Sequence, residues 1–167
     1  MTPPPGSLVL RRQIAPLHYR RMTECFTCEV NAGRQRAPGG AIYEDAHWLA
    51  DHGVSRLVRG YVVLKPKRHV HELADLSPDE AATLGIAAQR LLGAMRTALG
   101  TERIYVCSFG ETVHHLHFHL LPRYPDMPGL GPDLVPALFS EKWICSVAEA
   151  EEAAERVRSA LQSLPKM

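Results

Sequence analysis

The chain has 167 residues, 46% of them hydrophobic; this fits one globular domain and excludes a chain too polar to bury a core. Nineteen basic residues stand against eighteen acidic ones, so the net charge of +1 gives no general pull toward nucleic acid or a membrane surface. No apolar run exceeds four residues, so no membrane-spanning helix is expected.

Residues 1–20 are Pro-rich and weakly patterned, and they read as a flexible arm ahead of a single domain over 21–167. Residues 1–6 lack the charged and apolar stretches of a signal peptide, so a cytoplasmic location is expected. Cys25 and Cys28 form a C-x-x-C pair, which suits a redox dithiol or half of a zinc site. A thioredoxin-like dithiol follows a buried strand. The preceding residues 18–24 (HYRRMTE) are no such strand, so zinc is favoured and two more ligands are needed.

Residues 31–40 form a polar loop, and 41–45 and the stretch around Trp48 and Leu49 read as short strands. Residues 57–65 (LVRGYVVLK) make a better strand, closed by Pro66. Ser77, Pro78 and Glu80 are an N-cap, an N1 proline and an N3 acid, and they predict a helix over 78–99 that Gly100 ends. Leu84, Ala87, Ala88, Leu91, Met95 and Leu99 are its apolar stripe. Residues 103–109 and 113–121 read as two strands joined by a turn at 110–112 and paired antiparallel, the second stopped by Pro122. Residues 123–136 hold four prolines and two glycines and read as a loop. Ser146 and Glu149 cap a last helix that runs to about Leu161. Cys107 and Cys145, in apolar surroundings, read as small core residues. The fold class is α+β, with about five mostly antiparallel strands and one long helix before the last two.

Four of the nine histidines fall between 114 and 119. In a strand, His115, His117 and His119 share one face, while Leu116, Phe118 and Leu120 form the core face with His114 among them. Three polar rings in a row suit a single-metal centre or a phosphate-binding row. His115 and His119 would lie ~13 Å apart along an unbent strand at ~3.3 Å per residue. One zinc with bonds of ~2.0–2.1 Å does not easily gather all three. An extended anion fits the row better.

The run His115-Leu116-His117-Phe118-His119-Leu120-Leu121 resembles the signature of the histidine triad (HIT) superfamily, and Pro122-Arg123 continues it. Cys25-Phe26-Thr27-Cys28 resembles the zinc knuckle of its bacterial members, and Ile42-Tyr43-Glu44-Asp45 the strand beside the nucleotide base. Residues 65–69 (KPKRH) and 76–80 (LSPDE) resemble its Pro-Lys-x-His stretch and main helix start.

This resemblance implies a nucleoside-phosphate hydrolase or nucleotidyl transferase, acting for example on a dinucleoside polyphosphate or nucleoside phosphoramidate. The alternative is a nucleotide-binding module without catalysis. His117 would be the nucleophile and form a nucleotidyl-histidine; His119 would bind a phosphate oxygen, its protonated form offsetting charge. Ile42 and Tyr43 would lie by the base, and Ser108, Gly110, Glu111 and Thr112 by the phosphates. Cys25, Cys28, His69 and His115 would hold a structural zinc, with His71 and His114 as rival ligands and no catalytic metal required. A homodimer with a continued sheet is also implied.

Two departures stand out. Glu111 occupies a position where many members carry Gln; it could pair with Arg123, meet a ribose hydroxyl or act as general base. Residues 49–59 lack the usual Asp-x-x-Pro pattern for ribose contact, with His52 as a weak substitute. His18, His47, His52 and His71 otherwise read as surface residues.

Overall fold

The computed structural model describes residues 25–55, 57–127, 130–138 and 140–165; the Pro-rich arm, with His18, lies outside them. In chain order the main elements are α1 (Phe26–Asn31), β1 (Ala41–Glu44), β2 (Trp48–His52), β3 (Val62–Pro66) and α2 (Pro78–Leu99). These are followed by β4 (Arg103–Cys107), β5 (Phe118–Arg123), α3 (Leu134–Leu138) and α4 (Val147–Gln162). The strands form one antiparallel sheet in the order β1-β2-β3-β5-β4. The expected α+β class, the long helix before the last two strands and the C-terminal helix are all present.

Local chemistry explains the two long helices. The Ser77 hydroxyl accepts from the Glu80 N–H while the Glu80 carboxylate accepts from the Ser77 N–H, Pro78 fills N1, and Gly100 closes α2 at φ +62°. Ser146 and Glu149 make the same reciprocal cap on α4.

Register sorts the side chains onto two faces. Ala50 pairs with Leu64 and Val62 with Leu120. With Trp48 these residues pack beneath α2 and α4, against Leu91, Met95, Val157 and Leu161. The opposite face carries Asp51, Val63 and His119 in one row, since Asp51 pairs with Val63 and Val63 with His119. Its β4 end is covered by a second cluster that includes Val58, Tyr61, Leu121, Tyr124 and Leu134.

Several boundaries differ from the sequence reading, and β4 ends at Cys107 rather than at residue 109. β3 begins at Val62 rather than at residue 57. A turn precedes it, in which Gly60 has φ +74° and the Tyr61 N–H donates to the Val58 carbonyl. A Cβ on Gly60 would also come within 2.5 Å of Leu99. β5 begins at Phe118 rather than at residue 113. The backbone at Leu116 instead donates to Val70 at 2.7 Å, so this stretch is held by the segment after β3. β5 also runs through Pro122 to Arg123. Its pairing with β3 ends at Leu120, so on the β3 side of Pro122 no strand partner loses an N–H donor. The short helices α1 and α3 were not foreseen.

Candidate active site and metal centre

The loop 108–117 and the start of β5 bring the histidines out of one continuous strand and into separate settings. His115 is fully buried. Its Nδ1 lies 3.5 Å from both Cys25 Sγ and Cys28 Sγ, and Cys28 Sγ lies 3.3 Å from His69 Nδ1. One donor atom from each of these four residues falls within 4.8 Å of all the others. Zinc bonds of ~2.3 Å to sulfur and ~2.0–2.1 Å to nitrogen at tetrahedral angles separate neighbouring S and N donors by ~3.5 Å, so this cluster has the dimensions of a Cys2His2 site.

The surroundings favour a cation as well. The His115 Nε2–H donates to the Pro66 carbonyl at 3.0 Å, which turns a bare Nδ1 toward the sulfurs. Burial pushes the His115 ring down to about 4, so it is neutral at pH 7. Without a cation, burial and the neighbouring Cys25 push the Cys28 thiol up to about 11. A metal would reverse that preference. His71 is exposed and touches His69 at 3.2 Å between Nε2 atoms, outside the cluster of four, and the exposed His114 also stands outside it.

His117 follows two residues after His115 and is half-buried. Its Nδ1 lies 2.7 Å from the His115 carbonyl. A carbonyl only accepts, so Nδ1 carries the proton and Nε2 keeps the lone pair. The His119 ring is 4.7 Å away and nearly perpendicular, at 78°. His119 Nδ1 is 2.5 Å from the Tyr61 hydroxyl. Burial, and then the neighbouring His117, push the His119 ring down to about 4. The expected cationic form is therefore not the resting form at neutral pH.

Cys107 pairs with His119, so the loop that follows β4 departs beside that ring, and Phe109 lies 5.4 Å from it. Ser108, Glu111 and Thr112 are exposed on this loop, and Gly110 bends it at φ +73°. Glu111 does not meet Arg123, whose ion pair is with Glu102 at 3.5 Å, at the far end of the β4–β5 pair.

Ile42 and Tyr43 are not brought to the histidines. The register shifts between Ala41 and Tyr43, so Tyr43 lies opposite Ala50, and both residues pack against the helix-side core. Leu49 and Asp51, on the histidine face of β2, line a cleft of about 910 Å³ that also takes in Val30, Asn31, Ala41 and Leu57 and, from α4, Val147 and Glu151; none of the described histidines lines it. That volume suits a small ligand. Asp51 and Lys65 meet in the sheet beside it at 2.5 Å, and both are at least 95% buried. Burial pushes the Asp51 carboxyl up and the Lys65 amine down, and their pairing opposes both shifts. One more step along the β3–β5 ladder from the Leu64–Phe118 pair would set Lys65 opposite His117.

Tyr61, Asp51 and Lys65 were missed in the sequence. A usable signal was present: the opposite charges in Leu49-Ala50-Asp51 and Val63-Leu64-Lys65 alternate onto one face of adjoining strands. His52 is not a surface residue but is wholly buried on the helix side, with Nδ1 3.0 Å from the Gly53 carbonyl.

An antiparallel sheet with a histidine row on the face away from its long helices defines the histidine triad class. The HIT domain family model matches residues 34–126, and the chain belongs to this family. An uncharacterized HIT-like protein of Mycobacterium tuberculosis is 32% identical over 103 residues, covering 59% of this chain and 70% of that protein. A bis(5'-adenosyl)-triphosphatase of Dictyostelium discoideum is 32% identical over 69 residues, 38% of this chain and 46% of the enzyme. The crystal structure of a zinc-bound histidine triad family protein from Mycobacterium smegmatis superposes with a TM-score of 0.64 at 26% identity, over 84% of this chain and 94% of that one.

Proposed function

We propose that the protein is a nucleoside-phosphate hydrolase or nucleotidyl transferase that works through a covalent nucleotidyl-histidine on His117. The carrying observation is the 2.7 Å contact from His117 Nδ1 to the His115 carbonyl, which leaves Nε2 as the nucleophilic lone pair. Nε2 attacks the α-phosphorus and forms an N–P bond as the bond to the leaving phosphate or amine breaks. Water or another acceptor then takes the nucleotidyl group and returns the free imidazole. His119 binds a phosphate oxygen, and the loop bearing Ser108, Gly110, Glu111 and Thr112 frames the phosphates.

The nucleoside occupies the cleft beside Leu49 and Asp51, in place of the Ile42–Tyr43 contact. Lys65 takes Asp51 Oδ2, and among the described residues Oδ1 accepts no hydrogen bond, so it is suited to a ribose hydroxyl. Cys25, Cys28, His69 and His115 hold a structural zinc, a reading supported by the donor spacing and by the zinc-bound relative. That zinc supplies stability and takes no part in the reaction. The triphosphatase relative supports dinucleoside polyphosphates as the substrate class.

The test is a panel of dinucleoside polyphosphates, nucleoside phosphoramidates and nucleotide sugars, with intact-mass spectrometry of the quenched enzyme. A nucleotidyl adduct is expected on the wild type. His117→Asn should lose the adduct and at least ~10³-fold of kcat. Unchanged turnover in that variant would overturn the proposal, as would saturable AMP binding without turnover on any member of the panel.

A further inference from the structure

We infer that Tyr61 is a positioning residue that holds His119 with its ring proton on Nε2, the opposite tautomer to His117. This deepens the proposed function by stating what each ring offers the phosphate: a lone pair from His117 and an N–H from His119.

The geometry begins with the tyrosine. Tyr61 is 3% exposed and packs in the second cluster with Val58, Leu121 and Tyr124. Its backbone is tied at both ends, by its N–H to Val58 and by its carbonyl to the Gly53 N–H, each at 2.9 Å. A Cβ on Gly53 would fall 2.2 Å from Tyr61 Cε1, so the bare glycine gives the ring its place. The hydroxyl then reaches His119 Nδ1 at 2.5 Å, with the two rings stacked at 26°.

The direction of that hydrogen bond follows from acidity. A phenol is a far stronger acid than a neutral imidazole N–H, and an imidazole nitrogen is a better acceptor than a phenol oxygen. Burial first, with the charges of Cys107 and Asp51, pushes the Tyr61 phenol up, so it keeps its proton. The hydroxyl therefore donates, Nδ1 accepts, and the His119 proton resides on Nε2. His117 has the reverse arrangement because its partner is a carbonyl. The row can thus offer a phosphate oxygen a donor without first taking up a proton.

The experiment uses the full-length, zinc-loaded protein with ¹⁵N-labelled histidine, read by long-range ¹H–¹⁵N correlation near pH 7. The expected spectrum has His119 protonated on Nε2 and His117 on Nδ1. Tyr61→Phe should shift His119 toward mixed tautomers and lower kcat by about 10- to 100-fold, with KM changed by less than about threefold. A wild-type His119 protonated on Nδ1 overturns the inference, as does a variant with unchanged tautomer and kcat. If the variant does not fold, the wild-type spectrum decides alone. The spectrum needs no substrate, so a failed catalytic reading and a failed tautomer reading are told apart.

Discussion

Lys65 and Asp51 show how much a single side chain can matter on the histidine face. Their 2.5 Å ion pair is nearly shut off from water, so removing one partner strands the other as a buried charge. Lys65→Met should destabilise the protein by about 3–5 kcal/mol, read as a lower urea midpoint. The double variant Lys65→Met with Asp51→Leu should regain most of that stability while losing nucleotide affinity. Regained affinity in the double variant would show that Asp51 does not meet the nucleoside. The pair was readable in principle, because both residues are charged and alternate with apolar neighbours. The placement of Ile42 and Tyr43 was not readable. It depends on the irregular β1–β2 pairing, in which Tyr43 lies opposite Ala50, and one slipped residue moves a side chain to the other face.

Among the elements, α2 shows why some boundaries can be read locally and others cannot. Its start is fixed by atoms within four residues, and Ser77→Ala should cost about 1 kcal/mol in thermal or chemical unfolding. Glu80 does more than close the cap. Its carboxylate pairs with Arg68 at 2.6 Å, and its carbonyl accepts from the Trp48 indole at 3.2 Å, tying the helix to the sheet. The start of β5 was misread for the converse reason. Apolar and histidine residues go on alternating through 115–117, yet the backbone there leaves the ladder. Contacts of His115 with Cys25, Cys28 and Pro66, 90, 87 and 49 residues away, belong to that departure, and no local pattern reports them. Pro122 misled in the opposite sense, since a proline ends a strand only where a neighbour on its N–H side needs the donor.

The whole molecule should be acid-sensitive in two windows. Burial lowers the pKa of His52 and takes His119 to about 4, so below ~6.5 the unfolded chain binds protons that the native state refuses. Stability should therefore fall as pH drops from ~6.5 toward about 4. Glu80, held at about 2 chiefly by Arg68, adds a second loss from ~4.5 downward. Urea midpoints at pH 7.5, 6 and 4.5, with zinc in excess, would test the first window; a flat midpoint would contradict it. Chelation of zinc, or Cys28→Ser, should lower the melting temperature by about 10 °C or more. One residue couples this to the chemistry. His115 turns its ring to the cysteines and its carbonyl to Nδ1 of His117, so a single peptide orientation serves both. Any ligand that prefers that orientation strengthens metal retention by the same factor that metal strengthens its own binding. If zinc and a nucleotide both hold that peptide, chelation should weaken nucleotide binding, and bound nucleotide should slow the loss of zinc to a chelator.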